Sequence, residues 1–90
     1  MRPDGVDQVI ETVRHVLIDV LGIAPERAAA FGEATPLFGA LPEFDSMAVA
    51  NVLTELEDRL GILIEDDDVD ADTLATFGAL TRFATAKALV

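Results

Sequence analysis

The chain contains no cysteine, no tryptophan and no tyrosine, and six lysines and arginines stand against seventeen aspartates and glutamates. Without cysteine there is no disulfide framework, no thiolate zinc site and no cysteine nucleophile, so any sulfur chemistry must come from a group brought in from outside. The shortage of bases gives a net charge of −11 and a pI of about 4.1. That balance argues against nucleic acid, because binding phosphates requires cations that displace their counterions, and equally against anionic membrane surfaces. A surface of this sign suits basic protein patches and speeds encounter with them. No apolar run reaches the roughly 20 residues of a spanning helix. Met1-Arg2-Pro3-Asp4-Gly5 leads into an amphipathic pattern rather than a continuous apolar stretch, so no signal peptide is read and the cytoplasm is the expected compartment.

Catalytic parts are equally scarce. His15 is the single histidine and Ser46 the single serine. Phe44-Asp45-Ser46-Met47-Ala48 lacks the flanking glycines of a G-x-S-x-G nucleophile elbow, and His15 reads as an ordinary helix residue. Autonomous catalysis is therefore not expected. Asp66, Asp68, Asp70 and Asp72 alternate as in a calcium loop, but an EF-hand needs Gly at its sixth position and Glu at its twelfth. Counted from Asp66, those positions hold Ala71 and Phe77. What remains is diffuse association of divalent cations with many carboxylates, and no metal site is assigned.

What is present is enough for one small domain over residues 1–90, with 51% apolar residues to build its core. A chain of this size hides only about 60–65% of its unfolded surface, so the core must be simple. The charge is lopsided. From Glu43 to Asp72 eleven acids face the one base Arg59, which places ten of the eleven net negative charges in a single stretch.

Val6, Val9, Ile10, Val13, Val16, Leu17, Val20 and Leu21 recur at helical spacing and predict an α-helix from Asp4 to Leu21, roughly 27 Å long. Gly22 stops it, with Pro25 soon after. Gly22, Pro25, Gly32, Pro36, Gly39 and Pro42 mark a long loop to Asp45. Phe31, Leu37, Phe38 and Leu41 are its expected pins, and Ala28-Ala29-Ala30 an expected helical turn. Asp45 is the predicted N-cap of the next helix, which turns Met47, Ala50, Leu53, Leu56 and Leu60 inward and closes at Gly61. Ile62-Leu63-Ile64 reads as a buried connector, followed by a short helical turn around Val69. Thr76 caps a last helix with Phe77, Leu80, Phe83 and Ala84 inward. The expected fold is all-α: a four-helix bundle of three long helices and a short one, with a long loop between the first two.

Ser46 stands just inside a helix N-terminus, where free N–H groups and the helix dipole favour an anion. On its own, a serine there reads as a capping residue. Its surroundings change that. Thr35-Pro36-Leu37-Phe38 is similar to the T-P-L-F run that precedes the carrier serine of the acyl carrier protein family. Asp45-Ser46-Met47 resembles that family's D-S-L attachment motif. Leu56-Glu57-Asp58-Arg59-Leu60-Gly61-Ile62 resembles its L-E-x-x-[FL]-G-I, and Thr76-Phe77-Gly78-Ala79-Leu80 its T-[VF]-G-x-L. The four motifs occur in order at family spacing over nearly the whole chain.

The resemblance implies a four-helix carrier fold and a carrier rather than an enzyme. It implies that a phosphopantetheinyl transferase attaches 4′-phosphopantetheine from coenzyme A to Ser46, with magnesium needed only for the attachment. Asp45 and Met47 would support the site, Asp45 also helping to place the transferase's magnesium. The arm would supply the thiol that the chain lacks, and an acyl group would ride on it as a thioester. Ala50, Leu53, Leu56, Phe77 and Leu80 are the expected lining for an apolar cargo. Glu55, Glu57 and Asp58 would dock the basic surfaces of acyl-activating or acyl-transfer enzymes.

Many relatives carry acids two and five positions after the serine, where this chain has Ala48 and Asn51. That departure points to a dedicated partner set in a lipid or exopolysaccharide-related pathway rather than to general fatty-acid synthesis. The run Leu41-Pro42-Glu43-Phe44-Asp45-Ser46-Met47-Ala48-Val49 resembles the stand-alone carriers of bacterial exosortase and exopolysaccharide loci, and Asp45-Ser46-Met47-Ala48 also resembles the D-S-M-A of D-alanyl carriers. The expectation is a stand-alone, monomeric acyl carrier. A D-alanyl or other aminoacyl carrier, and an acidic helical adaptor without a prosthetic group, stay open at this stage.

Overall fold

The apolar stripe Val9, Val13, Val16, Leu17 and Leu21 forms the buried face of helix α1 (Val6–Leu21). The helix ends where Gly22 turns left-handed (φ 70°) and its N–H returns to Ile18 O. The computed structural model describes residues 5–89, so the expected start at Asp4 lies outside the described residues. Three further helices follow: α2 (Pro25–Ala29), α3 (Ser46–Leu60) and α4 (Phe77–Ala88). A single 3₁₀ turn, Asp66–Asp68, precedes α4. α1 packs against each of the other three helices. The fold is thus an all-helical bundle of three long helices and a short one, and the described residues include no strand, only an isolated antiparallel bridge between Pro36 and Thr76.

The long segment between α1 and α3 is fastened rather than loose. Pro25 opens α2, since it has no N–H to lose in a first turn. The helical turn expected at Ala28-Ala29-Ala30 therefore begins three residues earlier. Arg14 reaches across from α1, its Nη1 donating to Ala28 O at 2.6 Å and to Phe31 O at 3.2 Å. The same guanidinium lies 4.9 Å from the centre of the Phe77 ring, in cation–π range. Farther along, Leu37 N–H donates to Ala75 O and Phe38 N–H to Leu74 O, while Phe77 N–H donates to Thr35 O and Gly78 N–H to Glu33 O. Ile23, Phe31, Leu37 and Phe44 are buried. Two of the expected pins, Phe31 and Leu37, are confirmed. Phe38 is instead 38% exposed and presents its ring edge-on to Phe44, the buried pin that the pattern did not reveal.

α3 begins as expected, with Asp45 Oδ1 accepting from Ala48 N–H at 2.8 Å, and ends at the left-handed Gly61. Its inward stripe is rotated from the expected one. Val52 and Leu56 are buried, flanked by half-buried Ala48, Val49, Leu53 and Leu60, whereas Met47 is 79% exposed and Ala50 is exposed. A helix with apolar residues on two neighbouring stripes leaves its rotation to the partner it packs on, here α1.

The connector is also corrected. Ile62 and Ile64 are half-buried, but Leu63 is 71% exposed, because successive side chains of extended chain point to opposite sides. The helical turn expected around Val69 is the 3₁₀ turn just before it, closed by reciprocal bonds between Glu65 and Asp68. Thr76 Oγ1 caps α4 by accepting from Ala79 N–H, and Phe77, Gly78, Leu80, Thr81 and Ala84 are buried. Phe83 is half-buried.

The acidic segment is tethered at few points. Arg59 pairs with Glu55 and Asp19, and these hydrogen bonds raise its pKa further, that to Asp19 first. Lys87 Nζ lies 2.6 Å from Asp68 Oδ2. That hydrogen bond, with a smaller one from Glu65 N–H, holds the Asp68 carboxyl below the usual carboxylate range. Among the described residues the carboxylates of Asp58, Asp66, Asp67 and Asp72 meet no base.

Three outcomes follow from this packing. A Cβ on Gly78 would sit 2.5 Å from Glu33 O, a backbone atom that cannot swing aside. Gly78→Ala is expected to cost about 2 kcal/mol and lower the melting temperature by roughly 10 °C, read by circular dichroism. Lys87→Met should raise the Asp68 carboxyl pKa back toward the ordinary carboxylate range, followed by carboxyl-carbon NMR. The sign is set by a depressed folded-state pKa: the pair stabilises fully above the ordinary value, and that contribution disappears as pH falls through the lowered one. An unchanged Asp68 midpoint would show that the pair does not form in solution. Finally, crowded unpaired carboxylates repel one another, so the melting temperature should rise by several degrees on adding salt, and at lower concentration with magnesium; a flat response would refute the repulsion.

Candidate functional site

Ser46 is the first residue of α3 and is exposed. The Asp45 carboxylate takes the Ala48 N–H and the Asp45 carbonyl takes the Val49 N–H. This leaves the Ser46 and Met47 amides without acceptors among the described residues, and the Ser46 hydroxyl is likewise unbonded. A nucleophilic oxygen thus sits beside two free N–H donors at the positive end of a helix of 15 residues, a setting that stabilises a phosphate ester.

A groove of about 430 Å³ adjoins the serine. Val49, Ala50 and Leu53 of α3 form one wall, and Ile64 and Val69 of the acidic connector face them. Ser46 itself lies in the lining, as do Thr54 and the carboxyl-bearing Glu57, Glu65 and Asp66. On the other side of Ser46 a shallow depression of about 420 Å³ runs along Phe38, Leu41, Pro42 and Phe44. Ser46 therefore divides two hollows.

The expected lining is partly relocated. Ala50 and Leu53 line the groove, whereas Leu56, Phe77 and Leu80 are at 0–3% exposure in the core and do not line it. These three belong to the closed interior, where Phe77 meets Phe31 of the pinned segment and Arg14 of α1. The lining residues missed were Val49 and Thr54 on α3 and Ile64, Glu65, Asp66 and Val69 on the connector. Nothing local in the connector's sequence reveals that it folds back on α3.

The three acids expected to dock partners differ in circumstance. Glu55 Oε1 accepts from Arg59 Nε at 2.9 Å, and Glu57 Oε2 accepts from Ile64 N–H at 2.8 Å. Asp58 is exposed and makes no such bond. Met47, next to the serine, projects into solvent. On the approach to the site, Arg27 of α2 grips Glu43 at 2.7 Å, which lowers the Glu43 pKa chiefly through that hydrogen bond and ties the loop two residues before the cap. His15 lies on α1 with Nδ1 2.8 Å from Glu11 O. Among the described residues no three His, Asp or Glu side chains are grouped to hold a metal ion, and no helix is long and apolar enough to cross a membrane.

Comparison with known proteins gives this geometry its context. Residues 11–83 match the family model described as the phosphopantetheine attachment site. The chain is also similar to a holo acyl carrier protein from Nitrosomonas europaea solved by solution NMR, with 40% identity and a TM-score of 0.79 over 88% of this chain and 94% of that one. A carrier of this kind is not an enzyme; it is itself the substrate of a phosphopantetheinyl transferase, and its cofactor is covalently attached 4′-phosphopantetheine. With a family model spanning most of its length and a fold likeness covering nearly all of a known carrier, the chain belongs to the acyl carrier protein family.

Proposed function

We propose that Ser46 is the attachment point of the phosphopantetheine arm and that the protein carries acyl groups on it as thioesters. The observation that carries this reading is the exposed, unbonded Ser46 hydroxyl at the head of α3, beside the free Ser46 and Met47 amides. These fit a phosphodiester: Ser46 Oγ becomes one ester oxygen, the amides donate to the anionic ones, and the Asp45 carboxylate keeps the helix start rigid. The arm supplies a thiol for thioester chemistry, which the cysteine-free chain cannot. The groove beside Ser46 offers Val49, Ala50, Leu53, Ile64 and Val69 to an apolar cargo.

Glu55, Glu57 and Asp58 lie on the outer part of α3, and partners with basic surfaces would approach them; Asp58 is the acid free to respond. Neutral Ala48 and Asn51 support a dedicated partner set, in a lipid or exopolysaccharide-related pathway within the cytoplasm, over general fatty-acid synthesis. One observation favours an aminoacyl cargo as a second reading: Glu57, Glu65 and Asp66 line the groove and would attract an ammonium group. Loading by an adenylating enzyme supplied with D-alanine would select it. The adaptor without a prosthetic group is set aside by the family match.

Incubation with coenzyme A, magnesium and a broad-specificity phosphopantetheinyl transferase should add one phosphopantetheinyl mass to the wild-type chain and none to Ser46→Ala, read by intact mass spectrometry. Because Ser46 is the only serine, a gain retained in the variant would refute the assignment.

A further inference from the structure

Phe38 is exposed where a pin was expected, and it borders the depression of about 420 Å³ that runs through Leu41 and Pro42 to Ser46. That hollow differs in charge from the groove on the other side of the serine. The groove has Glu57, Glu65 and Asp66 in its lining, whereas the depression has one carboxylate, Asp45, already bonded to Ala48 N–H. Glu43, next to Pro42, is paired with Arg27. The depression is also held in shape. Phe38 N–H donates to Leu74 O, Leu41 N–H to Leu37 O at 2.9 Å and Phe44 N–H to Leu41 O at 3.0 Å. The Phe38 ring stands edge-on to buried Phe44, with centroids 5.8 Å apart. Gly39 and Ala40 are exposed, and their carbonyls accept nothing among the described residues. A lone exposed aromatic ring needs no explanation. One that walls a fixed, nearly uncharged hollow open to Ser46 forms a shelf, with apolar faces and free acceptors side by side.

We propose that this shelf seats the pantetheine portion of the arm on Ser46 while its thiol carries no cargo. The inference rests on the carrier reading of Ser46 and adds where the chain holds the arm. Phe38 and Pro42 offer apolar faces to the dimethyl-substituted carbon of pantetheine, and the Gly39 and Ala40 carbonyls can accept from its amide N–H groups. The phosphodiester is an anion, and the three carboxyls of the opposite groove repel it. Asp45 flanks Ser46 whichever way the arm turns, so it does not weigh between the two hollows. A free molecule would need a deeper site. A tethered one is present at an effective concentration of order millimolar, so a contact of about millimolar strength half-fills the shelf. The turn is formed beforehand, which spares the cost of ordering it on contact.

NMR of the arm-bearing protein, with the chain isotope-labelled and the arm unlabelled, tests the shelf; intact mass first establishes that the arm is attached. Filtered NOEs from the arm's methyl protons to the Phe38 ring are expected, with amide shift changes relative to the apo chain that reach residues 39–42. Phe38→Ser is expected to lower the docked population about fivefold, and Phe38→Tyr, which keeps the ring, to preserve it. Ala40→Asp sets a carboxylate on the shelf at an exposed position, away from the core, and should displace the arm likewise. NOEs to Val49, Leu53 or Val69 in place of Phe38, or shift changes confined to residues 45–48, overturn the shelf. So does a wild-type pattern in both Phe38→Ser and Ala40→Asp. A mass gain without contacts at Phe38 removes the shelf and keeps the carrier, whereas no mass gain removes both.

Discussion

The backbone pairing between residues 33–38 and 74–78 is the constraint on which the rest of the molecule depends. Four N–H···O bonds join the segment before α3 to the start of α4, across a contact so close that Gly78 has no room for a side chain. Arg14 anchors the other end of the same segment on α1 by donating to the Ala28 and Phe31 carbonyls. A connection of this length, left to itself, would place Asp45 and Ser46 poorly. Fastened at both ends, and again by Arg27 on Glu43, it delivers the serine to a fixed position at the helix start.

That fixed position is what allows a chain with so few chemical parts to hold the attachment site proposed at Ser46. The hydroxyl, the two free amides and the capping carboxylate all come from three consecutive residues, but their usefulness comes from α3 being held while its first turn stays open to solvent. The groove beside it is a tertiary product. One wall is helix, the other is the acidic connector folded back, with Glu57 of the helix gripping Ile64 N–H to hold the two together.

Charge in this protein contributes little to stability. The bases near the acidic stretch are few and already used, Arg59 on Asp19 and Glu55, and Lys87 on Asp68. Exposed pairs of this kind contribute little to folding. The remaining carboxylates cost some stability by repulsion and leave a field that a cationic partner relieves. The packed residues carry the fold: Leu17, Ile23, Leu37, Leu56 and Leu80 are all essentially inaccessible.

Local sequence determined a good deal of this. The 3–4 spacing of Val9, Val13, Val16, Leu17 and Leu21, the caps Asp45 and Thr76, and the stops Gly22 and Gly61 each act within a turn or two of helix, so the long helices and the place of Ser46 at a helix start were legible from the residues alone. The motifs around Ser46 likewise pointed to the carrier family. Rotation of α3, burial of Phe44, exposure of Leu63 and the second wall of the groove were not legible, because each depends on which surface is presented by residues far away in the chain. Apolar residues on two adjacent helix stripes are equally compatible with either facing inward, and α1 made the choice. Sequence thus determined the helices and their serine; packing against α1 and α4 decided which apolar side chains became core, which became groove, and which stayed exposed.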